Sequence, residues 1–141
     1  MVNYISNMLK STGIYEKITG DVRVTALPVY MEQESMPDKH SYTWAYIINI
    51  ANLGDKDIQL VNRHWQITNA RGHIEEVKGS GVVGEQPIIK AGSMFEYTSG
   101  TTLTTPSGFM GGSYNMLKGN DMFSVEIPTF ALDTADKITI N

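Results

Sequence analysis

From residue 21 onward, apolar side chains recur at every second position, and turn residues cut each run short before any helical repeat can establish itself. Val22 and Val24 alternate with Arg23 and Thr25. Trp44, Tyr46, Ile48 and Ile50 share one parity, and Phe123, Val125 and Ile127 alternate with Ser124 and Glu126. Period-two patterning puts alternate side chains on opposite faces of a strand. The breaks "NLGDK", "NARG", "AGS" and "KGND" are rich in the residues that reverse a chain. With turns about every 8–12 residues and no convincing internal helix, the pattern predicts about seven to nine short strands in an antiparallel sandwich or barrel. Trp44, Tyr46, Trp65, Tyr97, Tyr114, Phe123 and Phe130 are its expected core.

Local details sharpen this picture. Leu27 and Val29 fall on the parity opposite to Val22 and Val24, which predicts a bulge or bend near residues 26–28, and Pro28 predicts an edge position because proline cannot donate to a ladder. The stretch "YTWAYIINI" is apolar on both parities, as expected of a central strand covered on both sides. A second bulge is predicted near Val61 and Asn62. Residues 21–141 are read as one domain and residues 1–20 as an N-terminal extension, flexible or a short helix, since Tyr4, Ile5, Met8 and Leu9 share one helical face. With a single lysine, that face is a weak candidate for a membrane surface.

Composition excludes several classes of function. Eleven Lys and Arg against fifteen Asp and Glu give a net charge of −4. No basic run is available to neutralise phosphates, so no nucleic-acid partner is expected. The absence of cysteine removes disulfides, thiolate metal sites and cysteine nucleophiles. No apolar run approaches the ~20 residues that span a bilayer, and no secretory leader is evident; the chain reads as cytoplasmic, without a membrane partner.

One motif competes with a purely architectural reading. In "KGSGVVGEQP", Gly79, Gly81 and Gly84 have the G-x-G-x-x-G spacing by which dinucleotide-binding folds seat a pyrophosphate. The fingerprint needs a helix to follow, and here Pro87, Ile88 and Ile89 predict an extended chain instead. The acidic ribose partner expected about 20 residues on is also absent from "TTLTTP". Two readings stay open. In the first, the glycines supply positive φ while the chain crosses between sheets, and Gln86 satisfies backbone groups left unpaired there. In the second, Gly79, Gly81, Gly84 and Gln86 form a backbone nest for a phosphate, pyrophosphate or nucleotide, supported by Arg63 and Lys78, with Arg71 also near. Glu75, Glu76 and Glu85 oppose the second reading.

The longer stretch "NRHWQITNARGHIEEVKGSGVVGEQP", with "FEYTSG", "PSGFMGGSYNM" and "FSVEIPTFALD", resembles the ApaG family from about residue 21 to the C-terminal asparagine. The resemblance implies a fibronectin type III-like sandwich of two antiparallel sheets, a bacterial source and a link to cobalt and magnesium tolerance. Related domains in some F-box proteins imply a protein-interaction role. It implies no catalytic reaction and no cofactor.

The residues offer little chemistry beyond this. His40, His64 and His73 lack the spacing that aims two imidazoles at one ion, so no metal site is expected. A tight hairpin at "NARG" would set His64 opposite about Val77 and His73 opposite about Thr68. No nucleophile elbow occurs, and catalysis is not expected. The chain therefore reads as a binding module for an unknown protein partner, with an edge strand as a route to a homodimer.

Overall fold

A computed structural model describes residues 13–134. Nine strands follow one another: β1 (Tyr15–Thr19), β2 (Val22–Tyr30), β3 (Tyr42–Asn52), β4 (Ile58–Asn69), β5 (Ile74–Ser80), β6 (Ile88–Ile89), β7 (Met94–Leu103), β8 (Ser107–Lys118) and β9 (Asp121–Asp133). Two single-turn 3-10 segments, Glu32–Glu34 and Pro37–Lys39, are the helical elements among the described residues. One sheet has the order β1-β2-β3-β7, and the other β5-β4-β8-β9 with β6 beside β4. All pairings are antiparallel. The expected all-β sandwich of two antiparallel sheets is therefore present.

The inner faces carry the predicted alternation. Trp44, Tyr46, Ile48 and Ile50 of β3 are buried against Leu60, Trp65 and Ile67 of β4, Met110, Tyr114 and Met116 of β8, and Val125, Ile127, Phe130 and Leu132 of β9, within one core cluster. The rings of Tyr46, Trp65 and Phe130 form a closed triangle of centroids 5.3–6.0 Å apart. Such tilted and edge-on pairs are favoured by the ring quadrupole. Phe123 joins the core only in part, as do Tyr15, Tyr30, Tyr42 and Phe95.

Four expectations need correction. β2 keeps an unbroken register with β3 from Val22↔Asn52 to Tyr30↔Trp44, so the change of apolar parity at residues 26–28 is no bulge: Leu27 and Val29 lie on the outer face. β3 is central, but its second face is only half-buried at Thr43, Ala45, Ile47 and Asn49 and becomes buried only at Ala51. The stretch read as an extension supplies β1, which pairs with β2 from Tyr15↔Ala26 to Thr19↔Val22; residues 1–12 and the face of Tyr4, Ile5, Met8 and Leu9 lie outside the described residues. The hairpin at residues 69–73 places His64 opposite Lys78, not Val77, and Ile74 opposite Thr68. There, the Asn69 carboxamide oxygen accepts the amides of Arg71 and His73, which adds one residue to the turn. Two other readings hold. Register shifts between Leu60 and Asn62 mark the β4 bulge. Pro28 lies past the last residue that β1 covers, so among the described residues β2 is an edge at that point.

Asn52 holds together two of the passages between sheets. Its Nδ2 donates to Lys56 O (2.8 Å) and Ile89 O (3.0 Å), its Oδ1 accepts from Gly54 N–H, and its backbone exchanges bonds with Gly92 and Ser93. The residue is 2% exposed, so water cannot replace these bonds. Asn52→Ala is expected to cost about 2–3 kcal/mol. Urea unfolding should show a lower midpoint with an unchanged slope.

Candidate functional site

The glycine segment leaves β5 and returns to the same edge of β4. β5 pairs with Asn62–Thr68 and β6 with Ile58 and Gln59, so residues 81–87 are an excursion from one interrupted edge strand. The predicted crossing between sheets is therefore corrected: the chain changes sheets only after β6, through residues 90–93. Val83 (φ 43°) and Gly84 (φ 81°) are the centre of a two-residue hairpin, closed by Val82 N–H to Glu85 O (2.8 Å) and Glu85 N–H to Val82 O (2.9 Å). Positive φ at both central residues is the type I′ requirement. Val82 is 1% exposed and plugs the core, whereas Val83 stands out at the tip.

The rest of the segment answers the bulge in β4. The Val61 carbonyl, turned away from the regular ladder, accepts Gly81 N–H (2.7 Å) and Gln86 Nε2 (3.0 Å). Gln86 thus satisfies irregular backbone, as the architectural reading anticipated. Gly81 has φ +59°, and a Cβ there would lie 1.9 Å from Glu85 O. Gly79 leaves room for the Arg63 guanidinium, whose atoms lie 2.9 Å from where a Cβ would stand. Arg63 Nη1 donates to Ser80 O (3.0 Å) and Gly81 O (2.8 Å). The structure therefore brings Arg63, Gly79, Gly81 and Gln86 together. In that arrangement the Gly81, Val82 and Glu85 amides donate to backbone carbonyls, and the arginine binds loop carbonyls.

Lys78 faces the other way. It lies on the outer face of the five-stranded sheet, where it joins Asn62, His64, Ser80, Ser113 and Asn115 in lining an open cleft of about 550 Å³ that Arg63 and Gly79 also border. The bulge puts them there, because after Val61 the even positions of β4 turn outward. Register aligns Lys78, His64, Ser113 and Glu126 in one row, and Ser80, Asn62, Asn115 and Ser124 in the next. Exposed apolar residues end the face on either side: Ile74 and Phe109 beside Thr68, and Ile88 and Met122 in the row of Gln59 and Leu117. Asn62, Ser80, Ser113 and Asn115 were not foreseen from sequence. Their signal is the outward parity set by the β4 bulge, and it needs the register to be read.

Three buried tyrosines of the core end near Arg63. Tyr97 and Tyr114 share a hydroxyl hydrogen bond of 2.5 Å. Burial raises Tyr46, Tyr97 and Tyr114 above the ordinary phenol range, and the positive charge of Arg63 opposes the shift only in part. These hydroxyls stay protonated at neutral pH and serve as hydrogen-bonding groups rather than bases. Of the histidines, His40 caps a 3-10 turn with φ 53° and His73 sits in the β4–β5 turn. Among the described residues no three His, Asp or Glu side chains gather where they could hold a metal ion, and no helix is long and apolar enough to cross a membrane.

A two-sheet antiparallel sandwich whose outer cleft and strand edges no described residue covers defines the class as an all-β domain that can bind through sheet faces and edges. Residues 32–118 match the ApaG domain, and the chain belongs to the ApaG family. It is 50% identical over 122 residues to protein ApaG of Rhodospirillum centenum, covering 86% of this chain and 94% of that one. Against protein ApaG of Xanthobacter autotrophicus the identity is 51% over 124 residues, or 87% and 95% of the two chains. Among solved structures, the putative ApaA protein from Bordetella pertussis superposes with a TM-score of 0.79 at 40% identity, covering 82% of this chain and 94% of that chain.

Proposed function

We propose that the protein is a non-catalytic binding module that takes up an extended segment of a partner protein along β7. The observation that carries this reading is the contrast among the sheet edges. β1 is five residues long, carries Glu16 and Lys17, and leans on β9 through Thr19 Oγ1, which accepts Glu126 N–H. β5 carries Glu75, Glu76 and Lys78 and is broken by the glycine hairpin. β9 has Pro128 inside a register shift and Glu126 paired with Lys17 at 3.3 Å. These are the devices by which edges avoid unwanted pairing.

β7 has none of them. It runs for ten residues with a single charge, Glu96, no proline and an unbroken register against β3 from Tyr42↔Leu103 to Ala51↔Met94. Roughly half its residues turn both N–H and C=O away from β3, which is the template for an added strand. The near-absence of charge favours an uncharged, β-prone guest, and the exposed Glu96 favours a basic side chain beside it. The cation tolerance that the family resemblance implies would then act through the partner.

The test is selection of peptides from a random library, followed by mapping of the bound site by amide NMR. Peptides should shift β7 amides, and Thr98→Lys, at an exposed position of β7, should weaken them at least tenfold. Peptides that shift another surface would overturn the reading. So would protection of β7 amides that rises with concentration of the protein alone, which would identify a homodimer through this edge.

A further inference from the structure

The outer cleft of the five-stranded sheet is independent of β7, and its chemistry is unspent. The side chains of Asn62, Ser80, Ser113 and Asn115 make no hydrogen bond to another described group, and Lys78 has no carboxylate within ion-pair distance among the described residues. Four neutral hydrogen-bonding side chains and one ammonium thus face one volume with their capacity free. A surface lysine among amides and hydroxyls is common; five such groups converging across three strands without mutual bonds leave their donors open to water or to a shared ligand.

The neighbouring carboxylates are already engaged. Glu76 accepts from Gln66 Nε2 (3.3 Å) and lies 3.7 Å from His64 Nε2, which is screened from solvent and has no hydrogen-bond partner of its own. Glu126 pairs with Lys17 at 3.3 Å. Neither carboxylate lines the cleft. Arg63, which also borders the cleft, donates to the Ser80 and Gly81 carbonyls, so the uncommitted positive charge is that of Lys78; ringed by donors, it suits a compact anion with several oxygen acceptors.

We infer that this cleft binds a phosphoryl oxyanion, held by the Lys78 ammonium and the Asn62 and Asn115 amides with Ser80 and Ser113 as further donors. The glycine hairpin then contributes as scaffold: Arg63 and Val61 hold residues 80–86 in place, which fixes the end of β5 that carries Lys78 and Ser80. Arg63 and Gly79 border both the cleft and the glycine segment, so the two sites are told apart by Lys78, Asn62 and Asn115 on one side and the Gly81 and Gly84 amides on the other.

Titration of the ¹⁵N-labelled protein with inorganic phosphate and with O-phosphoserine, against sodium chloride at matched ionic strength, tests the assignment. Saturable shifts are expected at the Asn62 and Asn115 side-chain amides and the Lys78 backbone amide. Lys78→Ala should weaken binding at least tenfold, and Asn115→Asp should abolish it by placing a carboxylate in the ring of donors. Phosphoserine binding tighter than phosphate would identify a phosphomonoester as the ligand class; equal affinities would identify the free ion. Shifts centred on the Gly81, Val83 and Gly84 amides and indifferent to Lys78→Ala would overturn the inference in favour of the loop. Shifts that sodium chloride reproduces would overturn it outright.

Discussion

Gly112→Ala should cost about 4 kcal/mol or more, a loss that leaves little folded protein in a domain of ordinary stability. Gly112 sits on the inner face of β8 opposite Trp65 of β4, beside the register shift where β9 fits two residues against one. A Cβ built there lies 1.9 Å from the His64 carbonyl oxygen, 3.0 Å from its carbon and 3.1 Å from Trp65 Cα. All three atoms are backbone, so no side chain can rotate to make room. β4 and β8 form the central pair of their sheet, and relief would require them to separate in mid-ladder. Thermal and urea unfolding decide the matter. A variant within 1 kcal/mol of the parent would show that β8 can shift as a body, contrary to the close packing of such interiors.

Phe130→Ala is expected to cost about 3–5 kcal/mol, the usual range for removing a buried aromatic ring. The ring is 1% exposed and sits at the meeting point of the two sheets: its centroid is 6.0 Å from Tyr46, 6.0 Å from Trp65 at an interplanar angle of 86°, and 6.2 Å from Tyr15. The contact with Tyr15 adds a regional effect. β1 is short and half exposed, so much of its attachment is this ring contact and the pairing with β2. Hydrogen exchange should therefore show protection of β1 falling before that of β3 or β4, since segments with few buried contacts open first. Uniform loss across all strands would mean that β1 and the core unfold as one unit. Phe130→Leu keeps most of the volume and should cost less than half as much.

Strand existence was legible in the sequence because burial on one face imposes period two, which β3 follows from Trp44 to Ile50 and β9 follows on either side of the shift at Pro128. The bulge at Val61 was legible for the same reason, since the parity of Ile58 and Leu60 differs from that of Trp65 and Ile67 on a single strand. The same rule misled at β2. Leu27 and Val29 are apolar residues tolerated on an outer face, and parity alone cannot tell them from core. β1 escaped notice because only Tyr15 of its residues packs against the core, which leaves no alternation to detect.

The candidate sites divide along similar lines. Glycine spacing identified an unusual backbone segment correctly, and Pro87 with the two isoleucines showed that no helix follows. Where that segment leads depends on hydrogen bonds between residues some 20 positions apart, such as Gln86 to Val61, which local pattern does not encode. The outer cleft needs three strands in register before Asn62, Lys78 and Asn115 can be seen as neighbours.

The tip at Val83 and Gly84 has a consequence for how the domain tolerates change in length. Two hydrogen bonds across Val82 and Glu85 close the hairpin below the tip, and Val82 seals the interior beneath it. Residues inserted between Val83 and Gly84 would meet solvent alone, and each doubling of such a loop adds only about 0.6 kcal/mol of closure entropy. The sandwich thus carries a ready point for grafting foreign sequence, held by the bonds that fix the glycine segment.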